Sequence, residues 1–203
     1  MNETLSGLDH APQIRPWVLS VATDARAAIK GQQPRCIWLT GLSGAGKSTL
    51  ANALEIQLHQ RGLHTFLLDG DNVRGGLCKD LGMGAVARKE NMRRMAEVAR
   101  LMVEAGLVVI VAAISPFRAE REAARALFGA GQFVSVYVST SFDACARRDP
   151  KGLYSKALSG QIKDFTGLDS PYEAPLDAEC EIDTASLSVE EATQVLLDHL
   201  QIA

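Results

Sequence analysis

Apolar, β-branched runs of four to eight residues alternate along this chain with longer segments whose apolar positions recur at helical spacing. The runs predict strands at 36–40, 65–69, 107–114, 133–138 and 180–183. The segments between them predict helices at 47–61, 88–105, 119–128, 142–148 and 189–200. Gly62, Gly106, Pro116, Gly131 and Pro150 punctuate most of the breaks. Strands alternating with helices of this length imply an α/β fold: a mostly parallel five-stranded sheet with flanking helices, built from right-handed crossovers. Such sheets gather ligands at the carboxyl ends of their strands. The residues just past each predicted strand therefore carry the functional information.

After the first strand comes Gly41-Leu42-Ser43-Gly44-Ala45-Gly46-Lys47-Ser48-Thr49. This fits GxxxxGK[ST] between a strand and a helix, which is the setting the motif's mechanism requires. The glycines let the backbone curl so that its N–H groups face phosphate oxygens, and the helix that follows adds its positive end. Lys47 would neutralise the β- and γ-phosphates of ATP, and Ser48 would ligate Mg²⁺. The second strand ends in Asp69-Gly70-Asp71-Asn72-Val73-Arg74. One carboxylate could hold the Mg²⁺ water shell while the other takes a proton from an attacking hydroxyl. The plainer reading of this segment is an Asp–Gly turn with an aspartate capping a helix. Arg74 could fork onto an anionic substrate group.

Arg88 and Asn91 are three residues apart on one helix face, whereas Arg93 and Arg94 fall elsewhere and are expected to be solvated or paired with acids. The third strand ends in Ile114-Ser115, placing Ser115 at the crevice as a cap or hydrogen-bonding group, or else as a nucleophile. Residues 147–170 read as a mobile lid over the triphosphate, with Arg148 or Lys151 stabilising the transferring phosphoryl group and Phe165 either stacking on a base or pinning the lid.

Composition narrows the class. At 203 residues, with 47% hydrophobic and 22% charged, the chain is one globular domain, 1–203, in which 1–16 reads as a loose lead-in. A net charge of −3 supplies no basic field for nucleic acid. The four cysteines have no CxxC spacing and read as reduced cytoplasmic thiols. Residues 1–8 lack the pattern of a secretory signal, and the most apolar stretch, eight residues at 107–114, is far short of the about 20 that span a bilayer. A cytoplasmic protein with no nucleic-acid or membrane partner is expected.

The strings GLSGAGKST, DGDNVR, LGMGAVARKENMRR, ISPFRAER, RDPKGLY and IKDFTGLDSPYEAP together resemble the adenylyl-sulfate kinase (APS kinase) family, from the glycine-rich loop to near Pro175. The loop alone is shared by many NTPases; KGLY followed by KDFTGLDSPYE is far more specific. The resemblance implies a three-layer P-loop kinase sandwich that phosphorylates the 3′-hydroxyl of adenosine 5′-phosphosulfate (APS) with Mg²⁺-ATP, yielding PAPS. It implies a nucleotide site at 41–49 with Arg148, and Mg²⁺ at Ser48 and Asp69. The catalytic group it implies is Lys47, Asp69, Asp71 and Lys151, with Ser115 matching a serine once assigned as a phosphoenzyme position. It places Asp71, Arg74, Met83, Arg88, Asn91, Ile114, Ser115, Lys151, Leu153 and Phe165 around the acceptor. It also implies a homodimer and a functional link to ATP sulfurylase.

The sequence departs from the family pattern in the acceptor loop. Family members usually read RHGL where this chain has Arg74-Gly75-Gly76-Leu77, and GFSxxDR where it has Gly82-Met83-Gly84-Ala85-Val86-Ala87-Arg88. Met83 thus replaces the second adenine-stacking aromatic, and Ala87 replaces an acidic neighbour of Arg88. The alternatives are a kinase of this scaffold acting on another nucleotide-linked acceptor, such as a cytidine diphosphate derivative, or a nucleotide-binding regulator without turnover. For the latter, Lys47, Asp69, Asp71 or Lys151 should be lost, and all four are present.

Overall fold

A computed structural model describes residue 15 and residues 17–202. The lead-in expected at 1–16 therefore lies outside the described residues, Arg15 excepted. Five strands, β1 (Arg35–Thr40), β2 (Thr65–Asp69), β3 (Val108–Ala112), β4 (Phe133–Val138) and β5 (Cys180–Ile182), form one sheet in the order β2-β3-β1-β4-β5. All four pairings are parallel. The helices are α1 (Thr23–Lys30), α2 (Lys47–Gln60), α3 (Gly70–Gly75), α4 (Ala85–Glu104), α5 (Arg118–Arg125), α6 (Phe142–Arg148), α7 (Leu153–Leu158) and α8 (Val189–Leu200).

Alternate residues of each central strand enter different cores. Ile37 and Leu39 join Leu50, Leu54, Leu58, Leu196 and Leu197, from α2 and α8, on one face. Cys36 and Trp38 join Met92, Met95, Ala96 and Ala99 of α4 on the other. A sheet covered on both sides demands apolar residues at both parities, so these strands read as unbroken apolar runs. Among the described residues no helix is long and apolar enough to cross a membrane.

Helices α1 and α7, of eight and six residues, are not expected from the sequence, and the six-residue α3 is expected only as a helix capped by an aspartate. The first is held by tertiary contacts: Arg26 Nη1 donates to Glu104 O at 3.1 Å, and Gln32 Nε2 donates to His64 O and Gly106 O. α4 begins three residues earlier than expected, and β3 ends at Ala112 rather than at 114. There the chain bends through Ser115, whose φ of 39° no strand residue adopts, into Pro116.

The order of the strands places the site. The chain leaves β1, crosses β3 to form β2, returns as β3, and then crosses to the other side of β1 as β4. The carboxyl end of β1 is therefore where the winding reverses, and the crevice there is the place for a ligand.

Candidate active site

The phosphate loop occupies that crevice. Gly41 has φ of 153°, and a Cβ there would stand 2.5 Å from Val138 O, so only glycine lets β1 turn so close to β4. A cavity of about 770 Å³ opens above the loop. On its nucleotide side lie Ser43, Gly44, Gly46, Lys47, Ser48, Thr49 and Arg148. Asp69, Asp71, Arg74, Met83, Arg88, Asn91, Ile114, Ser115, Lys151, Leu153 and Phe165 border the rest. Gly41, Leu42 and Ala45 do not line it. Leu42 faces away, its Cδ2 so near Gly167 that a Cβ there would come within 2.9 Å, and Ala45 is fully buried.

Lys47 is buried, its Nζ donating to Gly41 O at 2.9 Å and Leu42 O at 2.7 Å. Its pKa is lowered to about 8, chiefly by burial and in lesser part by Lys151, while Cys145, Asp69 and Asp71 oppose the shift. A buried ammonium with only neutral carbonyl partners lacks a counter-charge, which a triphosphate carries. Asp69 has two tasks. Its Oδ1 caps α3, accepting from Asp71 N at 3.0 Å and Asn72 N at 3.5 Å, while its Oδ2 accepts from Ser48 Oγ at 2.6 Å. The aspartate cap and the functional carboxylate, offered by the sequence as alternatives, are thus one residue. Asp71 is exposed and ion-paired with Lys151 of the lid.

The end of the cavity away from the loop is anchored differently. Arg74 Nη1 donates to Gly82 O at 3.2 Å, holding the loop that carries Met83, which is 68% exposed. Arg88 Nη1 donates to Asp164 O at 3.0 Å and Thr166 Oγ1 at 3.3 Å, joining α4 to the lid. Arg88 Nε and Asn91 Oδ1 are buried without a hydrogen-bond partner among the described residues. Buried polar atoms left open in this way are costly in a fold that serves only itself. Arg93 and Arg94, as expected, belong to an acid network with Glu90 and Asp80 outside the cavity.

At two places the structure narrows alternatives that the sequence left open. Ser115 is 1% exposed, and its Oγ accepts from Trp38 Nε1 at 3.0 Å while lying 3.5 Å from Ala113 O. A hydroxyl turned into the core and serving an indole is not poised as a nucleophile. The segment 147–170 is not a loose flap at its ends: Tyr154 packs edge-on to Phe142 and Phe165, at 5.3 and 4.9 Å, and its hydroxyl donates to Ser43 O at 2.7 Å. Phe165 is 9% exposed, so its ring belongs to the core and also borders the cavity.

The sequence reading missed Thr140 and Thr184, which brace the loop through its Ala45 carbonyl, and Leu187, Ser188 and Ala192, which close the nucleotide side. A threonine two residues past a short strand carries no local signal, and only the position of β5 beside β4 brings it to the loop.

A family profile described as Adenylylsulphate kinase matches residues 33–183. An adenylyl-sulfate kinase of Shewanella sp. (strain MR-4) is 59% identical over 181 residues, 89% of this chain and 88% of that protein. The structure of Mycobacterium tuberculosis APS kinase in complex with AMPPNP and APS matches with a TM-score of 0.80 at 42% identity, covering 83% of this chain and 98% of that one. A hexameric APS kinase from Thiobacillus denitrificans matches with a TM-score of 0.65 at 35% identity, covering 84% of this chain and 30% of that one.

Proposed function

The chain belongs to the adenylylsulphate kinase family, and from that premise we propose that it transfers the γ-phosphoryl group of ATP to the 3′-hydroxyl of APS, giving PAPS and ADP. The observation that carries this reading is a single cavity with an intact phosphate loop at one end and unpartnered Arg88 Nε and Asn91 Oδ1 at the other. Donor and acceptor can thus be bound together in one cavity, and phosphoryl transfer needs such positioning more than it needs covalent chemistry.

Lys47 and Lys151 balance the charge of the transferring group, with Arg148 on the nucleotide. Asp71 receives the proton of the attacking hydroxyl, so in the reactive state its ion pair with Lys151 must yield to substrate. Arg74, Arg88 and Asn91 hold the acceptor, between Phe165 and Met83. For Mg²⁺ the donor set fits: a hydroxyl and a carboxylate oxygen lie 2.6 Å apart at Ser48 and Asp69, and these two residues would hold the ion. It would supply charge neutralisation to the transferring phosphate.

Transfer is direct, without a phosphoserine. Ser115→Ala should keep near-native turnover while costing about 1–3 kcal/mol of stability, because Trp38 Nε1 loses its acceptor. A loss of turnover in a variant that melts like the parent would restore the covalent route. Met83→Phe should lower KM for APS, by an aromatic contact worth about 0.5–1.5 kcal/mol. An unaltered KM would remove Met83 from the acceptor's border.

The deciding assay incubates the protein with Mg²⁺-ATP and APS and separates PAPS and ADP, beside a panel of cytidine diphosphate derivatives. PAPS formation is expected. ADP release only with another acceptor would make the changes at Met83, Gly84 and Ala87 a switch of substrate. We also read the chain as cytoplasmic, working with ATP sulfurylase, and as a homodimer.

A further inference from the structure

Thr184 lies two residues beyond β5 and one beyond the matched family segment. Its Oγ1 is 2.8 Å from Ala45 O, 2.8 Å from Arg148 Nη1 and 2.9 Å from Thr140 Oγ1. Its carbonyl accepts from Arg148 Nη2 at 2.6 Å, and its N–H donates to Thr140 Oγ1 at 3.2 Å. The proton positions follow from what each group can do. A guanidinium only donates and a carbonyl only accepts. Thr184 therefore accepts from Arg148 and, as the nearer of two hydroxyls to Ala45 O (2.8 Å against 3.3 Å for Thr140 Oγ1), gives its one proton there, which leaves Thr140 to donate to Thr184 Oγ1. One hydroxyl thus uses its proton and both lone pairs, and each bond lies between a different pair of elements.

The position of these bonds matters more than their number. A loop that turns its N–H groups toward phosphate must turn carbonyls outward. Ala45 is fully buried, so its outward carbonyl needs a donor or is lost as a polar group. Thr184 supplies that donor and packs on the loop itself: a Cβ at Gly46 would stand 3.1 Å from its Oγ1 and 3.3 Å from its Cγ2. The same residue grips Arg148, the last residue of α6 and the start of the lid, through two nitrogens. Arg148 is exposed and would otherwise sample many rotamers.

We propose that Thr184 is a positioning residue for the phosphate donor, holding the Ala45 carbonyl outward and the Arg148 guanidinium over the loop so that both are in place before ATP binds. This rests on the reading of the cavity as an ATP site. Thr184 touches no reacting atom in this role; it acts through Ala45 and Arg148.

Thr184→Ala removes the hydroxyl without forcing a methyl against Ala45 O, as valine would. Steady-state kinetics in ATP should show kcat/KM reduced roughly tenfold, the scale of a lost hydrogen bond to a charged group. The rise in melting temperature caused by AMPPNP should shrink in parallel, while KM for APS stays put. Thr184→Ser should recover most of the loss. The double variant Thr184→Ala/Arg148→Ala should lose less than the product of the two single losses, since part of the Thr184 effect passes through Arg148. Losses that multiply in the double variant, or a wild-type-like kcat/KM in Thr184→Ala, would overturn the proposal. So would a lower melting temperature without any change in the kinetics of ATP. Should Thr184→Ala not fold, Arg148→Lys carries the same test. Lysine cannot span the hydroxyl and the carbonyl together, and wild-type-like kinetics there would be equally decisive against the proposal. Absence of any AMPPNP shift in the unaltered protein would refute the ATP reading itself, separately from Thr184.

Discussion

Lys47→Ala should yield a folded protein whose turnover is lower by about a thousandfold, the upper end of the range for removing one preorganised group that stabilises transition-state charge. Lys47 Nζ is held by two loop carbonyls and no acid, so in the function proposed above its partner is the triphosphate. Its removal strands Gly41 O and Leu42 O, which should cost about 1–3 kcal/mol of stability and not the fold. Circular dichroism would check the fold and product formation the rate; native-like kcat in a folded variant would remove Lys47 from the chemistry. The same residue gives a pH signature. Its pKa is lowered to about 8, chiefly by burial, and only the ammonium form attracts phosphate. In the free enzyme, kcat/KM for ATP should therefore fall as pH rises through about 8. An alkaline limb far above that value would mean that Lys47 is better solvated than its burial indicates.

Asp71→Asn should lower kcat by about a hundredfold or more, in line with loss of a general base, and leave KM for ATP nearly as it was. The geometry argues for Asp71 over Asp69 in this role. Asp69 is committed on both oxygens, to the N-terminus of α3 and to Ser48. Asp71 is exposed to the cavity, and its ion pair with Lys151 lies at a surface where such pairs contribute little stability. It can exchange that partner for substrate at small cost. A rise in KM with kcat intact would make Asp71 a binding residue and send the search for the base elsewhere.

The ATP side was legible because its signals are local. Gly41, Gly44 and Gly46 adopt the positive φ values that nine consecutive residues announced, and α2 begins at Lys47 as the motif requires. The acceptor side was legible as residue types and not as geometry. Arg88 could be named from its helix face, but its bonds to Asp164 and Thr166, more than seventy residues away, could not. Ser115 shows the limit most clearly. Its place at a strand end left a hydrogen-bonding role and a nucleophile both open, and only the structure shows its partner to be Trp38 on the neighbouring strand.

By itself the sequence determined the number of strands, the apolar parity that buries the sheet on both faces, and the identity of the phosphate loop. Each is encoded within a few residues, by side-chain period or by backbone freedom at glycine. Tertiary structure decided which atoms meet. The order β2-β3-β1-β4-β5 brings Asp69 to Ser48 from 21 residues away and Thr184 to Ala45 from 139. A hydroxyl has no periodicity or propensity that names its partner. Its bond is selected by crossovers that bury hydrophobic area, and the polar contacts at the strand ends follow from that packing.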